Sequence, residues 1–198
     1  MIAIVKYNAG NVFSVTCAMQ RLGVEAVVTD DPEVLRAADK VIFPGVGEAS
    51  TAMHYLQQKG LDRVIASLKQ PVLGICIGMQ LMCRHSEEGD TEGLGIFDTV
   101  VKRFDNAQCP QCKVPHMGWN TIEVAPGTQG IVDGEVDGRH VYYVHSYYAE
   151  PCLHTQALTH YIVPFSAVLH RDNFYATQFH PEKSGDVGEL ILKKFIEL

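Results

Sequence analysis

Short apolar runs alternate with helical runs through the first half of the chain, and that alternation predicts an α/β fold: a central, mostly parallel sheet with helices on both faces. The second half changes character. Its strand-like runs are separated by Gly, Asp and Pro, which predicts an antiparallel portion joined to the same sheet. No internal repeat, low-complexity linker or shift of composition divides the 198 residues, so one domain spanning 1–198 is expected.

The elements follow in order. Residues 2–6 are the first strand candidate. Asn11 can cap a helix in which Val12, Val15, Met19 and Leu22 recur at helical spacing, and Gly23 ends it. Residues 25–28 and 40–43 read as further strands, the latter running into Pro44-Gly45-Val46-Gly47. Residues 49–69 read as helix interrupted at Gly60, 72–75 as a fourth strand, and 77–84 as a helix that begins at once. In the second half, 121–124, 140–148, 157–161, 166–170 and 174–179 are strand-like. Val187, Leu190, Ile191 and Lys194 mark a closing helix over 186–197.

Composition narrows the function. With 46% apolar and 20% charged residues the chain is an ordinary globular protein. A net charge of −7 and the lack of a dense Lys/Arg patch argue against nucleic acid and anionic membrane as partners. The longest apolar-rich stretch, 71–83, is shorter than the about 20 residues a bilayer requires. The chain opens on Ile2-Ala3-Ile4-Val5 with no basic leader, so a cytoplasmic location is expected. In that compartment the six cysteines are expected as free thiols.

The most informative stretch is Gly74-Ile75-Cys76-Ile77-Gly78, a Gly-x-nucleophile-x-Gly pattern between an apolar strand and a helix. A strand that reverses sharply into a helix has no room for side chains two residues either side of the turn. The residue at the tip is left exposed in strained backbone at the end of the sheet. A thiol at a helix N-terminus also meets unpaired N–H groups that favour thiolate. The N–H of Ile77 would face an oxyanion, and the loop at Val46 and Gly47 is the natural source of a second donor. Cys76 alone could be a small buried residue; with both glycines and the strand–turn–helix setting, it reads as a nucleophile. Cys83, placed about two turns along the same helix, reads as packing.

A catalytic thiol needs a base, and the base needs an orienting group. Among nine histidines, His180 combines a strand-end position with a carboxylate, Glu182, two residues on, and Pro181 stiffens the link. Alone, His-Pro-Glu reads as a surface turn; joined to the elbow it becomes a triad hypothesis in the order Cys76, His180, Glu182. Cys109-Pro110-Gln111-Cys112 with His116 lacks a fourth zinc ligand and the strand-to-helix setting of a redox pair, and reads as an ordinary loop. No metal site or cofactor is expected.

Together these segments resemble the class I (triad-type) glutamine amidotransferases, nearly end to end. The resemblance is carried by Pro44-Gly45-Val46-Gly47, by Gly74 through Gln80, by Ser86-Glu87-Glu88-Gly89 and by Gln178-Phe179-His180-Pro181-Glu182-Lys183-Ser184. Val114-Pro115-His116-Met117-Gly118-Trp119-Asn120, Asn8-Ala9-Gly10-Asn11 and Val144-His145-Ser146-Tyr147 are similar, more narrowly, to the glutaminase subunits of imidazole glycerol phosphate synthase. Ile77 stands where that family usually has Leu; only its N–H is needed. The resemblance implies a three-layer, flavodoxin-like fold and hydrolysis of glutamine through a Cys76 thioester. It implies an oxyanion hole from Ile77, Val46 and Gly47, and contacts from Gln80, Glu88, Ser146 and Tyr147 to the amino-acid end of glutamine. It also implies a heterodimer with a (β/α)8-barrel cyclase subunit, which would use the ammonia to make imidazole glycerol phosphate and aminoimidazole carboxamide ribotide. Asn11, Met117, Trp119 and Lys183 would lie at that interface. Other acceptor synthases, a silent regulatory subunit, and a cysteine peptidase or γ-glutamyl hydrolase are the competing readings.

Overall fold

The computed structural model describes residues 1–7 and 12–198; the cap and interface roles expected of Asn11 lie outside the described residues. The first half runs β1 (Ile2–Val5), α1 (Val12–Arg21), β2 (Ala26–Thr29), α2 (Pro32–Ala37), β3 (Lys40–Phe43), α3 (Ala49–Lys59), α4 (Leu61–Ser67), β4 (Val72–Ile75) and α5 (Ile77–Met82). The second half adds β5 (Cys83–Ser86), β6 (Thr91–Glu92), β7 (Phe97–Arg103), β8 (His116–Thr121), β9 (Glu123–Val124), β10 (His140–His145) and β11 (Tyr147–Ala149). It closes with β12 (Thr155–His160), β13 (Pro164–Arg171), β14 (Phe174–Thr177) and α6 (Gly185–Glu197).

Eight strands form the main sheet in the order β2-β1-β3-β4-β14-β13-β12-β9. Pairing is parallel from β2 through β14 and antiparallel beyond it. Helices bridge the parallel strands because a crossover must climb over the sheet, whereas hairpins suffice for the antiparallel ones. The central strands are buried on both faces and alternate between two cores. Ala3, Val5, Val41, Phe43 and Val72 join one cluster with Leu35, Leu56 and Leu61 of α2, α3 and α4. Ile2, Ile4, Ile42, Leu73 and Ile75 join the other with Met19 of α1 and Ile191 and Phe195 of α6. A period of two along each strand is what divides the apolar residues between two helical layers.

Several details depart from the sequence reading, which included none of β5, β6 and β7, nor β8 before Thr121, and expected an exposed Cys76 where the structure buries it. Helix α2 was not expected; Asp31 caps it by accepting from the Glu33 N–H at 2.9 Å, with Pro32 in its first turn. Helix α5 stops at Met82 instead of continuing to 84, so Cys83 is not two turns along the Cys76 helix but opens β5. Its side chain is buried and its thiol donates to the Met79 carbonyl at 3.5 Å, a packing role. The 140–148 run is two strands: β10 pairs with β8, and β11 joins a second sheet of order β11-β7-β5-β6. Cys109 and Cys112 are joined by a disulfide instead of lying free in a loop, because the turn brings their Cα atoms to 5.3 Å, within bridging range. Among the described residues, no helix is long and apolar enough to cross a membrane.

Candidate active site

Three adjacent parallel strands end together. Phe43 of β3 pairs with Gly74 of β4, and Ile75 of β4 pairs with Thr177 of β14. The next residues along each chain therefore leave one carboxyl edge side by side: Pro44-Gly45-Val46-Gly47, then Cys76, then Gln178 through Glu182. That edge is where sheets of this kind hold ligands.

Cys76 sits in a sharp turn with φ 53° and ψ −108°, a conformation a side chain rarely adopts and one that costs of order 1–3 kcal/mol. It is clamped by its N–H to the Thr177 carbonyl at 2.8 Å and by the Gln80 N–H to its own carbonyl at 3.1 Å. The flanking glycines are packing requirements. A methyl on Gly78 would run into the Phe43 carbonyl, and one on Gly74 would lie 2.9 Å from the Met82 sulfur and 3.0 Å from the Gly78 carbonyl carbon. Gly45 interlocks from the neighbouring loop, where a methyl would meet the Tyr7 hydroxyl and lie 2.7 Å from Ile77 Cβ. Tyr7 holds that loop by donating to the Pro44 carbonyl at 2.5 Å.

His180 is 1% exposed. Its Nδ1–H donates to Glu182 Oε1 at 2.8 Å, which leaves Nε2 facing the Cys76 sulfur. Burial pushes the imidazole down, but the charge of the adjacent Cys76, with the Glu182 carboxylate behind, outweighs it and raises the group to about 10; among the described residues Nε2 itself has no hydrogen-bond partner. The backbone is held as tightly: the His180 N–H donates to Tyr142 O at 2.9 Å, and Ser184 Oγ donates to the His180 carbonyl at 2.6 Å. His180 and Glu182 are thus held as a rigid unit beside the thiol.

A cavity of about 380 Å³ opens above the sulfur, lined by Cys76, Ile77, Val46 and Gly47, and by Gln80, Glu88, Ser146 and Tyr147. The structure thus brings every expected oxyanion and substrate residue to one cavity. Gln80 is 2% exposed and spends both amide hydrogens inside the protein, on Tyr147 O and on Gln178 Oε1, each at 2.9 Å. Its own Oε1 is buried and has no partner among the described residues. Glu88 accepts from the Ala49 N–H at 2.9 Å; burial raises its carboxyl, the Ala49 bond opposes this, and Glu48 nearby adds to the rise.

Met117 and Trp119 alternate along β8 on its outer face, 63% and 56% exposed, with Trp119 edge-on to Tyr142 at 5.9 Å. Lys183 is exposed next to Glu182 in the chain and makes no ion pair among the described residues. Among the described residues no group of three or more His, Cys, Asp or Glu could hold a metal ion.

Sequence reasoning assigned no role to Gln178, whose amide nitrogen lies 3.8 Å from Cys76 Sγ. Only knowledge that β14 lies beside β4 would have found it. Nor did it foresee a chain of buried rings. The Tyr147 carbonyl can only accept, so His145 donates to it through Nδ1 at 2.7 Å and accepts at Nε2 from His116 Nδ1 at 2.9 Å. Asn120 then meets His116 Nε2 at 3.4 Å, and all four ring nitrogens are matched in the neutral form. Burial pushes His116 down to about 4 and His145 to about 3. Because the unfolded chain binds these protons more readily, their contribution to stability is complete above about pH 6.5 and is lost as pH falls toward those values. Imidazole NMR titration is expected to leave His116 and His145 neutral at pH 5, with the melting temperature already falling. Titration of both rings near 6.5 would contradict this.

A family model described as glutamine amidotransferase class-I matches residues 5–198. The chain is 61% identical over 197 residues to the imidazole glycerol phosphate synthase subunit HisH of Bacteroides fragilis (strain YCH46), covering 100% of this chain and 99% of that protein. It is 44% identical over 198 residues to the subunit of the same name from Yersinia pestis, again covering 100% and 99%. Among solved structures, one named as a glutamine amidotransferase superposes with a TM-score of 0.75 at 17% identity, covering 100% of this chain and 98% of that one. A glutamine amidotransferase from Thermotoga maritima gives 0.62 at 16% identity, covering 99% and 80%. At those identities the structural matches speak to the fold.

Proposed function

The chain belongs to the class I glutamine amidotransferases, and we propose that Cys76 is the nucleophile with which it hydrolyses glutamine to glutamate and ammonia. The observation that carries the assignment is a strained cysteine at the floor of a cavity, facing an imidazole whose other nitrogen is fixed by a buried carboxylate. The Cys76 sulfur attacks the carboxamide carbon, and the carbonyl oxygen becomes an oxyanion. N–H groups of Ile77 and of the Val46–Gly47 loop receive it, each such donor being worth about 3 kcal/mol. His180 gives the proton from Nε2 to the departing ammonia, leaving a thioester, and then takes a proton from the water that releases glutamate. Gln80, Glu88, Ser146 and Tyr147 enclose the amino-acid end of the substrate, with Glu88 facing its ammonium.

The ammonia serves histidine biosynthesis, as in the relatives named as subunits of imidazole glycerol phosphate synthase. We place this step in the cytoplasm, with residues 1–198 acting as one amidotransferase domain paired with a separate cyclase subunit, a (β/α)8 barrel. The exposed Met117 and Trp119 and the cation of Lys183 form the docking face. The cyclase product pair would be imidazole glycerol phosphate and aminoimidazole carboxamide ribotide. Glutamate release from glutamine, measured with and without the cyclase subunit and its nucleotide-like ligand, tests the pairing. Release is expected to rise strongly when both are present; equal rates with and without them would argue for a free-standing glutaminase.

A further inference from the structure

We propose that Gln178 is a further catalytic residue: its side-chain amide donates a hydrogen bond to the Cys76 sulfur and stabilises the negative charge that sulfur carries before attack. The proposal rests on Cys76 being the nucleophile. Gln178 is fully buried and is the first residue beyond β14, directly beside Cys76 because Thr177 pairs with Ile75. Its backbone is fixed by an N–H to the Ala167 carbonyl at 2.9 Å.

Which end of the amide faces the sulfur follows from a backbone group. The Tyr147 carbonyl can only accept, so the Gln80 end that meets it at 2.9 Å is the NH2. The second hydrogen of that NH2 points to Gln178 at 2.9 Å, so the atom it meets must be the Gln178 carbonyl oxygen. The Gln178 NH2 is thereby turned toward Cys76 Sγ, at 3.8 Å. Flipping either amide would set donor against donor or oxygen against oxygen. The polarity of the whole chain, from Tyr147 through Gln80 and Gln178 to Cys76, is set at its backbone end. A neutral thiol can offer its hydrogen to the Val144 carbonyl, 4.0 Å away; an anionic sulfur cannot, and then the Gln178 N–H is the group it retains. The contact is long in the free protein and is of the kind that tightens as charge develops.

The test uses the full chain with Gln178→Met, which keeps length and removes the donor, and Gln178→Glu, which keeps the acceptor for Gln80 and sets an oxygen against the sulfur. Alkylation of Cys76 by iodoacetamide is followed against pH by peptide mass spectrometry, alongside kcat and KM for glutamine with the partner present. The acid limb of the alkylation profile is expected to move up by about one pH unit in Gln178→Met and further in Gln178→Glu. In both, kcat is expected to fall about tenfold or more with KM little changed. Profiles that overlay the wild type would overturn the proposal. If Gln178→Met loses its cooperative melt, Gln178→Glu decides alone, and if both do, Gln178→Asn, which withdraws the N–H from the sulfur, decides by the same readout. Failure of the nucleophile assignment looks different: Cys76→Ala would still release glutamate.

Discussion

Cys76→Ala is expected to lower glutamate release by at least about 10⁴-fold, the scale on which removal of a covalent nucleophile from a preorganised site is felt. The loss is chemical and not structural. The side chain is buried and, among the described residues, makes only two weak polar contacts, with Val144 O at 4.0 Å and Gln178 Nε2 at 3.8 Å. Alanine keeps Cβ, and the backbone bonds that build the turn, to Thr177 and from Gln80, do not involve the sulfur. Fold and partner binding are therefore expected to survive, and a thermal melt with an affinity measurement checks both. Glutamate release within tenfold of wild type would sink the assignment of Cys76.

Glu182→Gln is expected to lower kcat by about 10³- to 10⁴-fold while leaving the fold intact. The carboxylate does two things for His180. By accepting at 2.8 Å it holds the proton on Nδ1, so that Nε2 is presented to the thiol, and its charge adds to that of Cys76 in favouring the imidazolium. An amide of the same size can turn either end toward Nδ1 and carries no charge. The sign in pH follows. A histidine raised to about 10 contributes stability that is complete below about pH 6.5 and is lost as pH rises through 10. Glu182→Gln removes part of that rise, so the variant loses stability relative to wild type in neutral solution, and the difference shrinks at high pH. Nitrogen chemical shifts of the imidazole report the tautomer directly; a kcat within tenfold of wild type would show that orientation by Glu182 is dispensable.

Much of the site was legible along the chain because its parts are local. Gly74, Cys76 and Gly78 are two residues apart and meet the same steric demand, and His180 and Glu182 are joined by a single proline. The strands at 40–43 and 72–75 were equally plain, since a continuous apolar run bounded by Gly and Pro has few other readings. Helix α2 carries a clear start in Asp31-Pro32-Glu33, but six residues offer too little periodicity to be seen. The break at Ser146 was invisible because the strands on either side are alike in composition and differ only in which sheet they join.

The sequence by itself determined the kind of fold, the nucleophile candidate with its base and orienter, and the family. The fold and the triad candidates rest on short-range constraints (alternation along a strand, the steric limits of a turn, the reach of a side chain two residues away), and the family on the resemblance of whole segments. The tertiary structure alone decided what stands next to what. Strand order sets the Gly45 loop on one side of Cys76 and Gln178 and His180 on the other. A carbonyl on β11 decides which way two buried amides point, and a pair of histidines from β8 and β10 supports that carbonyl. Apart from the His145–Tyr147 bond, between residues two apart, these contacts join residues from 29 to 98 positions apart, and no local pattern encodes them, because the pairing of strands is chosen by the burial of the whole sheet. Cys76 is placed by its neighbours in sequence and equipped by its neighbours in space.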